Sequence, residues 1–72
     1  MERFRSGQRV VVVAPGHPLE GRRGTVRRLN VSGPGASVRI DGGIEHDQHL
    51  IVDGQEYQDI TILQPDQCAE VR

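Results

Sequence analysis

The clearest pattern in the chain is an alternation of β-branched residues with other residues, which is typical of β-strands because strand side chains alternate between two faces. Val10 and Val12 follow this pattern, and so do Val38 and Ile40. Proline and glycine interrupt it, since proline lacks a backbone donor and glycine adopts backbone angles forbidden to other residues. The pattern predicts five strands, near residues 9–14, 24–31, 36–41, 48–52 and 60–63.

Two features of the second predicted strand stand out. The alternation slips after Val26, and a β-bulge near Arg27 and Arg28 would restore its phase and bend the strand. Gly24 restarts the chain directly after a charged loop. We therefore expect Gly24 to have either a positive φ or a backbone contact too close for a Cβ atom.

The second half of the chain contains one strong turn signal. Asp53-Gly54 lies between two segments with strand character and is typical of a tight hairpin whose two central residues have positive φ. Residues 44–48 are polar enough for a loop or an exposed ribbon.

The stretch from Gly7 to Val26 resembles the KOW motif, a strand-loop-strand unit of small SH3-like barrels in transcription-elongation factors and some ribosomal proteins. The matching positions are Gly7, Val10, Val12, Gly16, Gly21, Gly24 and Val26. The resemblance extends less specifically to residues 38–40, where such domains have their next strand. Two departures are a longer loop at 14–20 with two prolines, and arginines at 22 and 23 where lysine is common.

This resemblance implies an all-β fold, a small five-stranded, strongly bent antiparallel SH3-like barrel. It also implies a single helical turn at residues 57–59 before the last strand. We expect one domain over 1–65 and a loose tail at 66–72. With no Trp and 3% aromatic residues, the core must be aliphatic. Phe4 and Tyr57 are expected to cap one open end of it, and the alternative is that either stacks on a nucleic-acid base. The predicted core residues are Val10, Val12, Val26, Val38, Ile40, Leu50, Val52, Ile60 and Ile62.

Charge is distributed unevenly along the chain although the net charge is only −1. Residues 1–40 contain eight arginines against two glutamates, which gives +6. Residues 41–72 contain eight acidic residues against one arginine, which gives −7. Folding interleaves the two halves, so the arginines either form one basic surface or pair with carboxylates in ion pairs worth about 0–1 kcal/mol each.

The arginines around the second predicted strand are the main candidate site. Arg22, Arg23, Arg27 and Arg28 lie close together in sequence, and Arg39 is on the next predicted strand. At ~3.3 Å per residue the first four span about 15–20 Å, enough for two or three phosphates, and guanidinium groups bind phosphate oxygens bidentately. The cluster favours contact with RNA, DNA or a nucleoprotein machine such as the ribosome or a polymerase.

An alternative is a protein-docking or regulatory accessory barrel that binds no nucleic acid. In that case the arginines only keep a strand edge soluble. The near-neutral net charge, the acidic second half and the scarcity of aromatic residues favour this alternative.

No arrangement in the sequence is typical of a catalytic or cofactor site. Residues 45–49 combine two histidines with acidic residues, but strand positions three apart face opposite sides, so only a loop or a helical turn could bring His46 and His49 together. Only His17 and Cys68 could complete a zinc site. The serines lack a nucleophile elbow, and Gly33-Pro34-Gly35 precedes no helix that could bind phosphate. We expect no enzyme activity, no metal and no cofactor.

The single cysteine cannot form an internal disulfide, which favours a reducing cytoplasm. The apolar run at 10–14 is too short for a signal peptide core or a membrane span. The sequence therefore predicts a cytoplasmic protein without a membrane partner.

Overall fold

The computed structural model describes residues 3–47, 49–57 and 61–71, and its regular structure is almost entirely β. The strands are, in chain order, β1 (Arg9–Val12), β2 (Arg23–Ser32), β3 (Gly35–Ile40), β4 (Ile44–His46), β5 (His49–Val52), β6 (Gln55–Tyr57), β7 (Ile62–Leu63) and β8 (Cys68–Glu70). One 3-10 turn, Pro65–Gln67, separates β7 from β8. Within the described ranges no helix is long and apolar enough to cross a membrane.

The strands form two antiparallel sheets, which confirms the all-β antiparallel prediction. The larger sheet has the order β7-β3-β2-β1-β8, and the smaller has the order β4-β5-β6. The five predicted strands correspond to β1, β2, β3, β5 and β7, with ends that differ by one or two residues. Positions 48 and 60 lie outside the described residues.

The core is mainly aliphatic, as the composition predicts. Each fully buried Val, Leu or Ile side chain stabilises the fold by about 1.5–3 kcal/mol. Phe4 is 5% exposed and belongs to this core, and Tyr57 packs against it half-buried. Seven of the nine predicted core residues are buried, namely Val10, Val12, Val26, Val38, Ile40, Leu50 and Val52. The buried cluster also contains Leu19, Ala36, Leu63 and Cys68.

The prediction was wrong for Ile62, which is 38% exposed, whereas its neighbour Leu63 is completely buried. Thr61 explains this difference, because its φ of 35° is incompatible with an extended strand. The predicted alternation of buried and exposed side chains, which was counted forward from position 60, therefore does not continue into β7. Ile60 itself lies outside the described residues.

The predicted bulge in β2 is confirmed at Arg27. Val26 and Arg28 pair with consecutive residues of β3, so Arg27 is an extra residue in the ladder. An extra residue bends the strand and increases its twist. The bulge thus separates β2 into a regular first half and an irregular second half.

A second irregularity follows and leaves apolar side chains exposed. Arg28 and Ser32 pair with β3 residues only two positions apart, so residues 29–31 face one β3 residue. Asn30 has a φ of 56°, and both Leu29 and Val31 are 42% exposed. The bulge therefore does not return Leu29 and Val31 to the core.

Gly24 has the expected close contact rather than a positive φ. It pairs with Val10 of β1 and with Ile40 of β3. A Cβ atom at this position would lie 2.6 Å from the Arg39 carbonyl oxygen and 2.8 Å from the Val38 Cγ1 atom. Only glycine lets these strands approach so closely.

Two hairpins form the smaller sheet. Asp53 and Gly54 have φ values of 51° and 80°, which confirms the predicted tight turn between β5 and β6. Residues 44–46 form β4, an exposed edge strand that corresponds to the ribbon of the two predicted possibilities. Tyr57 ends β6. The rest of the helical turn expected at 57–59 lies outside the described residues.

The C-terminal segment is not a loose tail in the described range 66–71, which corrects that prediction. Strand β8 pairs with β1, and Cys68, opposite Val12, is only 2% exposed. The Gln64 backbone N–H donates to Gln67 Oε1 at 2.8 Å and fixes the preceding 3-10 turn. β8 is ordered because the backbone groups at the edge of β1 require hydrogen-bond partners. Cys68 also contributes to the core, since a buried cysteine acts as a small hydrophobic residue.

Candidate nucleic-acid interface

The regular half of β2 and its neighbours present arginines to solvent. Val26 is buried, and Thr25 on the opposite face pairs with Arg9 of β1 and with Arg39 of β3. Arg9, Arg23 and Arg39 are all exposed. Strand alternation therefore places these cations on the outer face of the larger sheet.

Asp41 contacts two arginines at one end of this face and lies near a third, Arg23. Arg9 donates two hydrogen bonds to its carboxylate, Nη1 to Oδ1 at 2.7 Å and Nη2 to Oδ2 at 2.5 Å. Arg22 Nη2 donates to the Asp41 carbonyl oxygen at 3.3 Å. The hydrogen bond from Arg9 lowers the pKa of Asp41, against partial burial, and the charges of Arg9, Arg23 and Arg22 also lower it.

Glu45 joins two further arginines. Arg27 forms an ion pair with Glu45 Oε1, and Arg39 Nε lies 3.9 Å from the same oxygen. Glu45 belongs to β4, so the smaller sheet supplies a carboxylate to the arginines of the larger one. Asp53, in the turn after β5, pairs with Arg22.

These contacts make one continuous surface, which we call the arginine band: Arg9, Arg22, Arg23, Arg27 and Arg39 with Asp41, Glu45 and Asp53. Arg9 links its two ends, because Arg9 Nη1 donates to Thr25 Oγ1 at 2.9 Å and Thr25 lies opposite Arg39. The band carries alternating charges. It is therefore neither an uninterrupted basic patch nor a fully paired surface.

The five predicted arginines divide into two groups. Arg22, Arg27 and Arg39 contact carboxylates from the acidic second half. Within the described ranges, the side chains of Arg23 and Arg28 have no ion pair or hydrogen bond. Arg28 lies beyond the Arg27 bulge and pairs along the backbone with Ser37. The band together with Arg28 contains six arginines and three carboxylates, a net charge of +3.

Arg9 is a member of the band that the sequence prediction did not include. Its signal was present in the alternation of β1, since a residue directly before buried Val10 must face outward. The prediction considered the arginines around the second predicted strand and Arg39 on the third, whereas Arg9 of β1 reaches the band through strand pairing with Thr25.

The histidines of residues 45–49 come together at a hairpin, whereas the sequence analysis allowed this only through a loop or a helical turn. His46 and His49 pair across the β4–β5 hairpin, so a turn places them opposite each other. His49 Nδ1 contacts Glu56, and His46 Nδ1 lies 3.6 Å from Asp47 Oδ2. Among the described residues, no group of three or more His, Cys, Asp or Glu side chains could hold a metal ion.

Cys68 is placed for packing rather than for chemistry. Burial raises the pKa of its thiol to about 11. A thiolate, not a thiol, is the nucleophilic form, so this side chain is inert at neutral pH.

Comparison of the chain with protein-family models, with curated protein sequences and with solved structures finds no match. The resemblance to the KOW motif therefore stays a prediction.

Proposed function

We propose that the protein is a small binding module that contacts RNA, DNA or a nucleoprotein complex through the arginine band and Arg28. The observation that carries the proposal is the excess of cations on this surface, with Arg23 and Arg28 unpaired among the described residues. Exposed guanidinium groups without a carboxylate partner are available to phosphate oxygens.

We also propose that the five-stranded sheet is the sheet of an SH3-like barrel with a KOW-like first half. Two observations support this. The sheet order β7-β3-β2-β1-β8 places the first strand beside the last. A single 3-10 turn, Pro65–Gln67, precedes the last strand, where SH3-like barrels often have a helical turn. In this assignment β4, β5 and β6 form an insertion between two strands of the barrel.

The ion pairs of the band predict weak binding. A phosphate must compete with Asp41, Glu45 and Asp53 for the paired arginines, so Arg23 and Arg28 make the first contacts. Sequence-independent binding of this kind has a dissociation constant of about 1–100 μM at physiological salt. Neutralising two phosphates corresponds to a slope of about −1.8 in a plot of log K against log salt on duplex DNA.

Fluorescence anisotropy with a labelled mixed-sequence duplex, titrated at several salt concentrations, tests the proposal. The double variant Arg23→Glu/Arg28→Glu should abolish measurable binding. Glu45→Gln should strengthen binding, because it releases Arg27 and Arg39, and four contacts would steepen the slope to about −3.6.

Glu20→Gln is the matched control for Glu45→Gln. It changes the net charge by the same amount, but Glu20 is exposed and contacts no arginine in the described ranges. Equal strengthening by both variants would show that net charge alone matters and would refute the site assignment. No binding by the wild-type protein at ~100 μM would refute the proposed function.

A second candidate function is protein docking, and Ile44 favours it. Ile44 is 65% exposed on the edge strand β4, and it pairs with Ile51. Edge strands with exposed apolar residues can add a strand from another protein. This candidate predicts that Ile44→Lys abolishes capture of a partner from cell lysate, whereas Arg23→Glu/Arg28→Glu does not.

A further inference from the structure

A groove of about 520 Å³ lies beside the irregular half of β2. Its lining residues come from the N-terminal segment and from the β2–β3 hairpin, namely Arg3, Phe4, Arg5, Ser6, Leu29, Asn30 and Pro34. Leu29 directly follows Arg28 in β2, so the groove adjoins the proposed phosphate-binding residues along the chain.

Backbone pairing and its interruption create the groove. The Gly7 N–H donates to the Val26 carbonyl at 2.8 Å, and the Val26 N–H donates to the Gln8 carbonyl at 2.9 Å. These bonds hold the N-terminal segment against β2 up to Val26. Beyond that point the described residues 3–6 make no backbone hydrogen bond to β2. On the other side of β2, Arg27 bulges out of the ladder with β3, and residues 29–31 leave regular pairing.

The groove combines cations with apolar surface. Arg3 and Arg5 supply positive charge, and among the described residues no carboxylate lines the groove. Arg5 pairs with Glu70 at 3.0 Å, but both side chains are at least half exposed, so this ion pair is weak. Leu29 offers 42% of its surface to solvent beside Pro34. The occupant that fits is an anion with a flat apolar part.

We infer that the groove accepts an unpaired nucleotide, and that the module therefore prefers single-stranded to duplex nucleic acid. The inference rests on the proposed function. A nucleic-acid strand whose phosphate contacts Arg28 can extend to the groove, because Leu29 and Asn30 are the next two residues of β2 and both line the groove. The base packs on Leu29 and Pro34, and its phosphate meets Arg3 and Arg5. Bases in a duplex are stacked and paired, so they cannot enter.

The base would contact aliphatic rather than aromatic side chains, and this determines how strongly the module should prefer single-stranded nucleic acid. Phe4 is 5% exposed and offers almost no face for stacking. Base stacking on an aromatic side chain changes affinity by roughly 5- to 150-fold per base. For an aliphatic contact we expect the low end, a preference of about 5- to 10-fold for the single strand over the duplex of the same sequence.

Anisotropy titrations at one low salt concentration test the inference, with a labelled oligonucleotide of about 12 nucleotides in single-stranded, duplex and abasic forms. Wild-type protein should bind the single strand about 5- to 10-fold more tightly than the duplex, and abasic positions should remove that advantage. Leu29→Ser should lower single-strand affinity to the duplex value and leave duplex affinity unchanged.

Val31→Ser is the matched control. Val31 lies on the same strand and has the same 42% exposure, but it does not line the groove. Equal losses from Leu29→Ser and Val31→Ser would overturn the inference, as would equal binding of single strand and duplex. In both cases salt-dependent binding lost in Arg23→Glu/Arg28→Glu would still support the proposed function. Absence of binding to every form would refute both.

Discussion

Replacing Gly24 with alanine tests the strand crossing at the centre of the larger sheet. The new Cβ atom would lie 2.6 Å from the Arg39 carbonyl oxygen, 3.1 Å from the Arg39 carbonyl carbon and 2.8 Å from Val38 Cγ1. Two of these three atoms are backbone, so no rotamer change relieves the clash. β2 and β3 must separate by several tenths of an ångström, although their backbone hydrogen bonds fix the spacing of the strands.

The loss of stability caused by Gly24→Ala follows from this geometry. Inserting a methyl group into a packed interior destabilises a protein by about 1–3 kcal/mol, and rigid backbone contacts favour the upper value. A domain of this size has a free energy of unfolding of only about 4–10 kcal/mol. Since 1 kcal/mol changes the midpoint of a small domain by about 4–8 °C, Gly24→Ala should lower Tm by about 10–20 °C.

Thermal unfolding followed by far-ultraviolet circular dichroism measures this shift. Gly16→Ala is the control, because nothing lies within 4 Å of its Cβ position and its only cost is a φ of +79°. That strain amounts to about 1–2 kcal/mol, so Gly16→Ala should lower Tm by less. A Tm of Gly24→Ala within 3 °C of wild type, or above that of Gly16→Ala, would refute the argument from close contact.

Three further predictions concern other parts of the fold. Leu63→Ala should destabilise by about 2–5 kcal/mol in urea unfolding, whereas Ile62→Ala, on a side chain 38% exposed, should cost less than half as much. Burial raises the pKa of the Cys68 thiol to about 11. Because the thiolate is the reactive form, Cys68 of the folded protein should react with a disulfide reagent at pH 8 about 100-fold more slowly than free cysteine, and unfolding should remove this difference. The lowered pKa of Asp41 stabilises the fold above the ordinary carboxyl value of 3.8, and this contribution is lost as pH falls through the folded-state pKa. Asp41→Asn should therefore show a smaller loss of stability on acidification, and an identical pH profile would contradict that assignment.

The sequence was informative where a strand is long enough to show its own period. β1, the first half of β2 and residues 38–40 of β3 have the predicted alternation, and Val10, Val26 and Val38 are buried as expected. β4 and β8 have only three residues each, which is too short to define a period. Such strands are specified by the partner they meet in the fold, and local sequence does not reveal that partner.

The candidate site also has a part that could be predicted from the sequence and a part that could not. Four of the five arginines could be chosen from sequence because they lie close together around the second predicted strand, and Arg39 because it lies on the next one. Their ion pairs could not, because Glu45 and Asp53 reach them from the other sheet. Arg9 was missed for the same reason, since its neighbour Thr25 is 16 positions away. The groove at Leu29 depends on a bulge whose exact register no sequence pattern specifies.

The pairing of β1 with β8 has a consequence for how the chain folds. Val10 lies opposite Glu70, 60 positions later, so the larger sheet is completed only when distant parts of the chain meet. Closing so long a loop costs chain entropy before any contact in it compensates, and domains rich in such pairings fold in about milliseconds to seconds. The β2–β3 and β5–β6 hairpins join neighbouring residues and can form within about 1–10 μs. We therefore expect β8 to dock after these hairpins have formed. Until β8 docks, the edge of β1 is unpaired, and this edge is the surface most open to wrong pairing during folding.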